Sequence, residues 1–316
     1  MTRRPVLLLA VLVLVALGAP LVAPYGPAER FRDHQHAPPM RVHVDAGGLY
    51  AHPLTLVDRL EQRFDADATR RVRLPWGARA GAEPVFLLGA DALGRDVLSR
   101  LLHGARASLG LALVATAGTL LLGALLGLWA GYAGGLAERG VTTVGDLLLV
   151  LPLIYVVVAL RAALPLVLPL GTVVVALAII FVLLGWPRVA RGVRAIVREE
   201  AERDHVVAAI ALGASRWRVM TRHLLPACLG YLAVQAALLV PMFVLAEATL
   251  SYLGLGFPDG VPSWGTALSD AANVAATTRA PWTLAPAAAV FLVVLATNVL
   301  LEPSRHDAVA DASRSG

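Results

Sequence analysis

Apolar runs of about 20 residues, separated by short polar stretches, set the pattern of this chain. They fall at about 5–23, 107–130, 145–164, 168–186, 227–250 and 283–301. Such a run, wound as a helix, is long enough to cross the roughly 30 Å hydrocarbon core of a bilayer. The pattern therefore predicts an all-α, polytopic membrane protein of about six transmembrane helices. Helix breakers cluster in the third and fourth runs, at Pro152, Pro165, Pro169 and Gly171, and Pro241 interrupts the fifth. Breaks at membrane depth are tolerated where neighbouring helices or a water-filled path satisfy the freed carbonyls. Gly123 and Gly127 form a small-xxx-small pair in the second run, read as close helix packing.

The segment between the first two runs is polar and rich in Pro and Gly, and short strands or turns are expected there. The predicted layout is an anchor over 1–25, an external segment over 26–106, a membrane core over 107–303 with a loop at 199–226, and a tail over 304–316. Arg3 and Arg4 before the first run also fit a secretory signal peptide. The run exceeds a usual signal core of 7–15 residues and no A-x-A site follows, so a retained anchor is expected.

Composition supports the membrane reading. The 316 residues are 58% hydrophobic and only 16% charged, against about 25% in soluble domains. All 27 basic residues are arginine. Without lysine the chain holds no G-x-x-x-x-G-K-[ST] phosphate loop, so it does not itself bind ATP in that way. Lone Cys228 reads as a small buried residue. The net charge of +5 needs no nucleic-acid partner, because arginine collects beside membranes on the cytoplasmic side and against anionic lipid. Segment 188–222 carries eight arginines against four acids, which marks it as cytoplasmic and places both termini inside. Segment 26–106 falls outside despite its twelve arginines, since long loops translocate largely regardless of charge.

The stretch HVVAAIALGASRWRVMTRHLLP at 205–226 is helical in pattern. Val206, Ala209, Ile210 and Gly213 form an apolar stripe, Gly213 ends the first helix, and Ser215 caps a second one faced by Trp217, Met220 and Leu224. This predicts a cytoplasmic helix–turn–helix lying parallel to the membrane. On the residues alone it rests either on anionic lipid or in a protein groove.

The same stretch resembles the EAA loop of binding-protein-dependent ABC importer permeases. Ala208, Ala209, Gly213, Leu225 and Pro226 match; Val207 stands for the Glu of that pattern and His223 for its Ile. Residues 88–109, LGADALGRDVLSRLLHGARASL, resemble the signature of the peptide-transporter branch through Gly89, Asp91, Gly94, Arg95, Asp96, Ser99, Arg100, Gly104, Ala105, Arg106 and Ser108, with Ala90 for Thr. Residues 247–271 resemble the same branch through the run from Glu247 to Gly256, with Tyr252 for Phe, and through Pro262, Ser263, Trp264 and Gly265. The resemblance spans about 85–303 and is to the second, shorter-loop permease of the dipeptide/oligopeptide pair, although 26–84 is longer than expected.

The resemblance implies a type I importer permease fold in the cytoplasmic (inner) membrane. It also implies a second permease subunit, two ABC ATPase subunits and an extracytoplasmic substrate-binding protein. Residues Ala208, Ala209, Gly213, Ala214, Ser215, Trp217, Arg218, His223, Leu225 and Pro226 would form the coupling loop that docks on an ATPase. ATP and magnesium would sit on those partners; this chain would hold no cofactor and catalyse no bond-making. Glu247, Ser251 and Trp264 are candidates for the translocation path or a subunit interface. Glu247 lies in an apolar run, where an ionisable group is costly and must find a partner. Asp96 and Arg100 are four apart, a spacing for pairing on one helix face. Arg161 is expected to snorkel, and Asp146 to sit at the N-terminal start of the third run. His34, His36 and His43 read as solvated loop residues rather than a metal site. An ion-coupled secondary transporter, a structural membrane subunit, and an importer for nickel or another small solute are the alternatives.

Overall fold

The computed structural model describes residues 3–46, 48–59, 61–74, 83–163, 169–258, 260–272 and 278–314; for parts of the terminal helices and of 153–163 only the backbone is described. The chain is mostly helical. Helix α1 covers Arg3–Val22. Strands β1 (Val42–Asp45), β2 (Gly48–Ala51), β3 (Leu54–Asp58), β4 (Arg63–Ala66) and β5 (Val72–Arg73) follow. Then come α2 (Val97–Ala133), α3 (Gly135–Val150), α4 (Leu153–Ala163), α5 (Leu170–Ala201), α6 (Asp204–Ala211), α7 (Arg216–Val219), α8 (Leu225–Tyr252), α9 (Trp264–Asp270) and α10 (Ala285–Arg314).

Four helical stretches among the described residues are long and apolar enough to cross a membrane: Val97–Ala133, Leu170–Ala201, Arg216–Tyr252 and Pro281–Val299. They correspond to the second, fourth, fifth and sixth predicted runs. The third run is not one helix. Pro152 has no N–H to continue the ladder and its ring crowds the preceding turn. Leu151 accordingly turns extended, at φ −75° and ψ 118°, and the run divides between α3 and α4. Asp146 therefore does not sit at a helix start. Helix α3 begins at Gly135, and Asp146 pairs with Arg191 of α5 at 2.5 Å. Pro241 does not interrupt the fifth run either: α8 runs through it without a break, and the ring is buried. The Arg161 side chain, Pro165 and the side chains of the tail lie outside the described residues.

The chain divides into two compact units. One comprises Met1–Val11, Leu111–Phe243 and Val294–Gly316; the other comprises Leu12–Gly110 and Val244–Val293. In the first unit α2 packs on α5 through a ridge of small residues. Gly123, Gly127 and Gly131 recur every fourth position and lie against Val189, Val193 and Val197, which recur with the same step. A Cβ at Gly127 would come within 2.7 Å of the Ala190 carbonyl oxygen and of Val193 Cβ. The backbones approach closely because the side chain is missing, which is how apolar helices associate where hydrophobic burial gives no drive. At an ordinary helix position Gly→Ala stabilises by about 1 kcal/mol. Here the sign is expected to reverse. Gly127→Ala should lower the thermal midpoint of the solubilised chain, and Gly127→Leu should lower it further, by overpacking worth about 1–3 kcal/mol. Phe181 and Phe243 stack at 5.1 Å in the same unit, beside Gly185.

In the second unit the segment after α1 forms two small antiparallel sheets, one of order β1-β2-β5 and one pairing β3 with β4. The short strands expected from the Pro/Gly-rich sequence are present. Their core holds Ala37, Met40, Ala51, Val85 and Phe86, with Phe31 edge-on to Phe86 at 5.4 Å. His34 stacks on Phe64, while His43 lies on β1 against Tyr50 and His52.

Candidate functional site

The hairpin at 204–224 is built as the sequence predicts at its turn. Leu212 ends α6, Gly213 takes φ +85°, and two hydrogen bonds close the end: Gly213 N–H to Ile210 O at 2.9 Å and Ala214 N–H to Ala209 O at 3.0 Å. This is the two-bond glycine stop in which a left-handed residue satisfies the last helical carbonyls. Ser215 Oγ accepts the Arg218 N–H at 3.3 Å and caps α7.

Beyond α7 the helix widens into one π turn, Met220–Leu224, where the Leu225 N–H reaches Met220 O. Leu225 and Pro226 then open α8, with Pro226 unable to donate to the preceding turn. The sequence carried no sign of this turn, and it changes which faces point inward. Val206, Val219 and Leu224 are fully buried. Val207, Ile210, Leu212 and Trp217 are exposed, Leu212 at 89% and Trp217 at 72%. The expected stripes are corrected: Ile210 is exposed although Val206, one turn before it on α6, is buried, and the π turn rotates Leu224 off the face of Trp217. Ala208 and Arg218 are exposed, and Ala209, Ala214 and His223 are half-buried. The His223 ring lies 5.9 Å from that of His205, whose Nε2 is 3.3 Å from Glu200 Oε1.

The second constellation lies in the other unit, at the entry to α2. Asp91 is the hub. Its Oδ1 accepts the N–H groups of Leu93 at 2.8 Å and Arg95 at 3.0 Å. Its Oδ2 accepts Arg95 Nε at 2.7 Å and Arg100 Nη1 at 2.6 Å. Both guanidiniums also reach Asp270 at the end of α9, at 2.8 and 2.6 Å. Burial acts to raise the Asp91 pKa, but the two guanidiniums and the Arg95 N–H outweigh it and hold the carboxyl below its usual range. Gly94 closes the turn at φ +72°, with its carbonyl accepting Phe31 N–H at 2.9 Å; a Cβ there would lie 2.1 Å from Phe31 O. Gly89 O accepts the Val97 N–H, Gly104 lies against Trp264, and Arg106 lies on the exposed side of α2. Beside the hub is a small open cleft lined by His36, Asp91, Arg100 and Asp270 with apolar neighbours.

Asp96 and Arg100 do not pair as their spacing predicts. Asp96 stands just before α2, and its Oδ2 accepts the Ser99 N–H at 2.7 Å, a helix cap. Ser99 Oγ in turn accepts the Tyr25 N–H at 3.0 Å. Burial pushes the Asp96 carboxyl up to about 6, the hydrogen bonds from Ser99 only partly offsetting it. A carboxyl raised in this way stabilises the folded state below its unfolded pKa near 4 and loses that contribution as pH rises through about 6. Asn caps as well as Asp and carries no charge. Asp96→Asn is therefore expected to remove a loss of about 2 kcal/mol between pH 4 and pH 7, seen as a flatter dependence of thermal midpoint on pH.

Glu247, Ser251 and Trp264 are brought together with Ser108. Glu247 is fully buried; Oε2 accepts the Ser108 hydroxyl at 2.5 Å and Oε1 the Ser251 hydroxyl at 2.7 Å. Each hydroxyl also accepts a backbone N–H, Ser108 from Trp264 at 3.1 Å and Ser251 from Phe257 at 3.0 Å. One carboxyl thereby ties α2, α8 and the chain leading into α9. Ser263 and Thr266 cap α9 reciprocally, a spacing the sequence displayed. Asp270 had no local signal, because its partners lie some 170 residues earlier.

A family model described as binding-protein-dependent transport system inner membrane component matches residues 123–302. The chain is 35% identical over 295 residues to the di/tripeptide transport system permease protein DppC of Pseudomonas aeruginosa, covering 93% of this chain and 82% of that relative. It is 35% identical over 213 residues to the oligopeptide transport system permease protein OppC of Bacillus subtilis, covering 67% of each. It is 34% identical over 226 residues to the glutathione transport system permease protein GsiD of Pectobacterium atrosepticum, covering 70% of this chain and 71% of that relative. The chain belongs to the family of inner membrane components of binding-protein-dependent transport systems.

Proposed function

We propose that the chain is a permease subunit of an ATP-driven importer that carries di- and oligopeptides across the cytoplasmic membrane. It spans the membrane six times with both termini inside, and the small sheets after α1 lie outside. The hairpin α6–α7 seats in a cleft of an ATPase subunit; a second permease completes the path, and an extracytoplasmic binding protein delivers substrate. ATP and magnesium are held by the ATPase subunits, and their closure displaces the hairpin and rocks the helices.

The observation that carries this reading is the outward patch of Val207, Ile210, Leu212 and Trp217 on a hairpin closed by a rigid glycine stop. Large apolar side chains held at such exposure mark a contact surface, for protein or for membrane; membership of the binding-protein-dependent transport family favours the protein partner. The peptide substrate is supported by the names of the relatives, two of them permeases for di/tripeptides and oligopeptides. The test is site-directed cross-linking from Leu212→Cys. Cys228 is buried, so the introduced thiol reacts alone. A cross-link to a P-loop ATPase, with ATP-dependent dipeptide uptake by the reconstituted assembly, is expected. Labelling of the introduced thiol only from the outer side would overturn the reading.

A further inference from the structure

In the first unit α5 and α8 pack antiparallel, with Phe181 stacked on Phe243 and Gly192 against the Tyr231 ring. Four arginines stand on α5. Arg191 is held by Asp146, and Arg194 and Arg198 by Glu138. Arg188 is different. It is exposed, and among the described residues its guanidinium meets no carboxylate; its one hydrogen-bonding contact is Met242 Sδ on α8, 3.7 Å from Nη1.

That contact lies at membrane depth. Met242 sits in the apolar run 227–250, about 22 Å along the helix from one end of the run and about 12 Å from the other. Long side chains on a helix lean back toward its N-terminus, and the N-terminus of α5 is the end away from the hairpin. The guanidinium therefore leans into the span and does not snorkel toward the hairpin side. Three further features share this level. Pro187 and Pro241 immediately precede Arg188 and Met242, and neither can donate to the carbonyl four residues earlier. The Tyr231 hydroxyl donates to Arg188 O at 3.3 Å and holds that turn of α5. Gln235 lies between Tyr231 and Met242 on one face of α8; it is half-buried, and among the described residues its amide has no hydrogen-bond partner.

A guanidinium without a carboxylate is costly in hydrocarbon and marks a water-filled path. Helix carbonyls freed by proline at the same depth are tolerated beside such a path. We infer that Arg188, together with Gln235 on α8, is a carboxylate-binding station on the translocation path, where the α-carboxylate of the carried peptide is held during passage. Arginine presents parallel N–H donors that match both oxygens of a carboxylate, and the Gln235 amide adds a neutral donor. Met242 is flexible and apolar, so it accepts peptide side chains of different shapes. The station thus reads what all peptides share and leaves their side chains unread. The inference rests on the reading that the chain carries peptides.

The test is thiol labelling of Met242→Cys in the full chain, purified with the subunits that accompany it and placed in nanodiscs, which are open to reagents from both faces. Cys228 is buried, so the introduced thiol reacts alone. The probes are two water-soluble methanethiosulfonates, an anionic sulfonate and a cationic trimethylammonium, each rate taken relative to that with free cysteine. The anionic reagent is expected to react about tenfold faster, the guanidinium attracting one probe and repelling the other across a few ångströms of water. Arg188→Gln in the same background should bring the ratio close to one, and Arg188→Lys should keep most of it. A millimolar dipeptide should slow labelling, and its C-terminal amide should not. Absence of labelling by both reagents, as burial in lipid or in a protein interface requires, would overturn the inference. So would a ratio near one with Arg188 in place, or equal protection by dipeptide and amide. Labelling is read without transport. Charge-selective, peptide-protected labelling in an assembly that imports no peptide would keep the station and remove the import reading; import without labelling would do the reverse.

Discussion

Import stops, and the chain stays folded in the membrane, when Leu212 becomes aspartate. Leu212 is 89% exposed at the tip of the hairpin, so the carboxylate costs the isolated fold almost nothing. At a docked interface the same side chain meets an apolar cleft and must lose its water. Central interface anchors are worth about 2 kcal/mol or more, which is a fall of about 30-fold in docking equilibrium. Uptake of a radiolabelled dipeptide should drop by at least that factor, with membrane insertion and melting temperature unchanged. Gly213→Val reaches the same end by another route. At φ +85° a β-branched residue is strained whatever the free space, so the turn must reorganise and re-aim Leu212 and Trp217. Normal uptake by both variants would remove the hairpin from the transport mechanism.

Asp91→Ala should cost the most stability of any single change considered. The residue holds two guanidiniums and two backbone N–H groups at the entry to α2. Arg95 and Arg100 are both under 10% exposed and would keep only Asp270, itself 41% exposed. Breaking a buried pair by removing one partner costs about 3–5 kcal/mol, because the remaining charge stays desolvated. Asp91→Asn keeps the backbone acceptor and should lose less. The depressed Asp91 pKa gives the same network a pH dependence of fixed sign. Its contribution is full above the unfolded pKa and is lost as pH falls through the lower folded value. Thermal midpoints of the solubilised protein should therefore fall on strong acidification more steeply in the wild type than in Asp91→Ala.

Much of this architecture was legible from residues that act locally. The apolar runs mark helices because a membrane span must satisfy its own backbone. Gly213 and Ser215 announced a stop and a start, since a left-handed turn and a helix cap each need only a few neighbouring atoms. Pro152 announced a break for the same reason. Pro241 did not break its helix, because packing on the surrounding chain held the turn through the missing hydrogen bond. Asp96 and Arg100 stood at a pairing distance that the helix did not use. Asp96 was drawn off by the free N–H of Ser99, and Arg100 by Asp91 nine residues earlier and by Asp270 far along the chain.

The sequence by itself determined that this chain is mostly helical with several apolar runs of membrane-spanning length, and where its arginine-bearing hairpin turns. Periodicity, turn residues and charge bias are properties of neighbours, and they survive whatever the rest of the chain does. Only the tertiary structure decided that Asp270 completes the Asp91 hub, that Ser108 joins Glu247 to Trp264, and that a π turn exposes Trp217 and buries Leu224. Those outcomes depend on atoms 100 or more residues apart or on one extra residue in a helical turn. Distance along a chain carries no record of either.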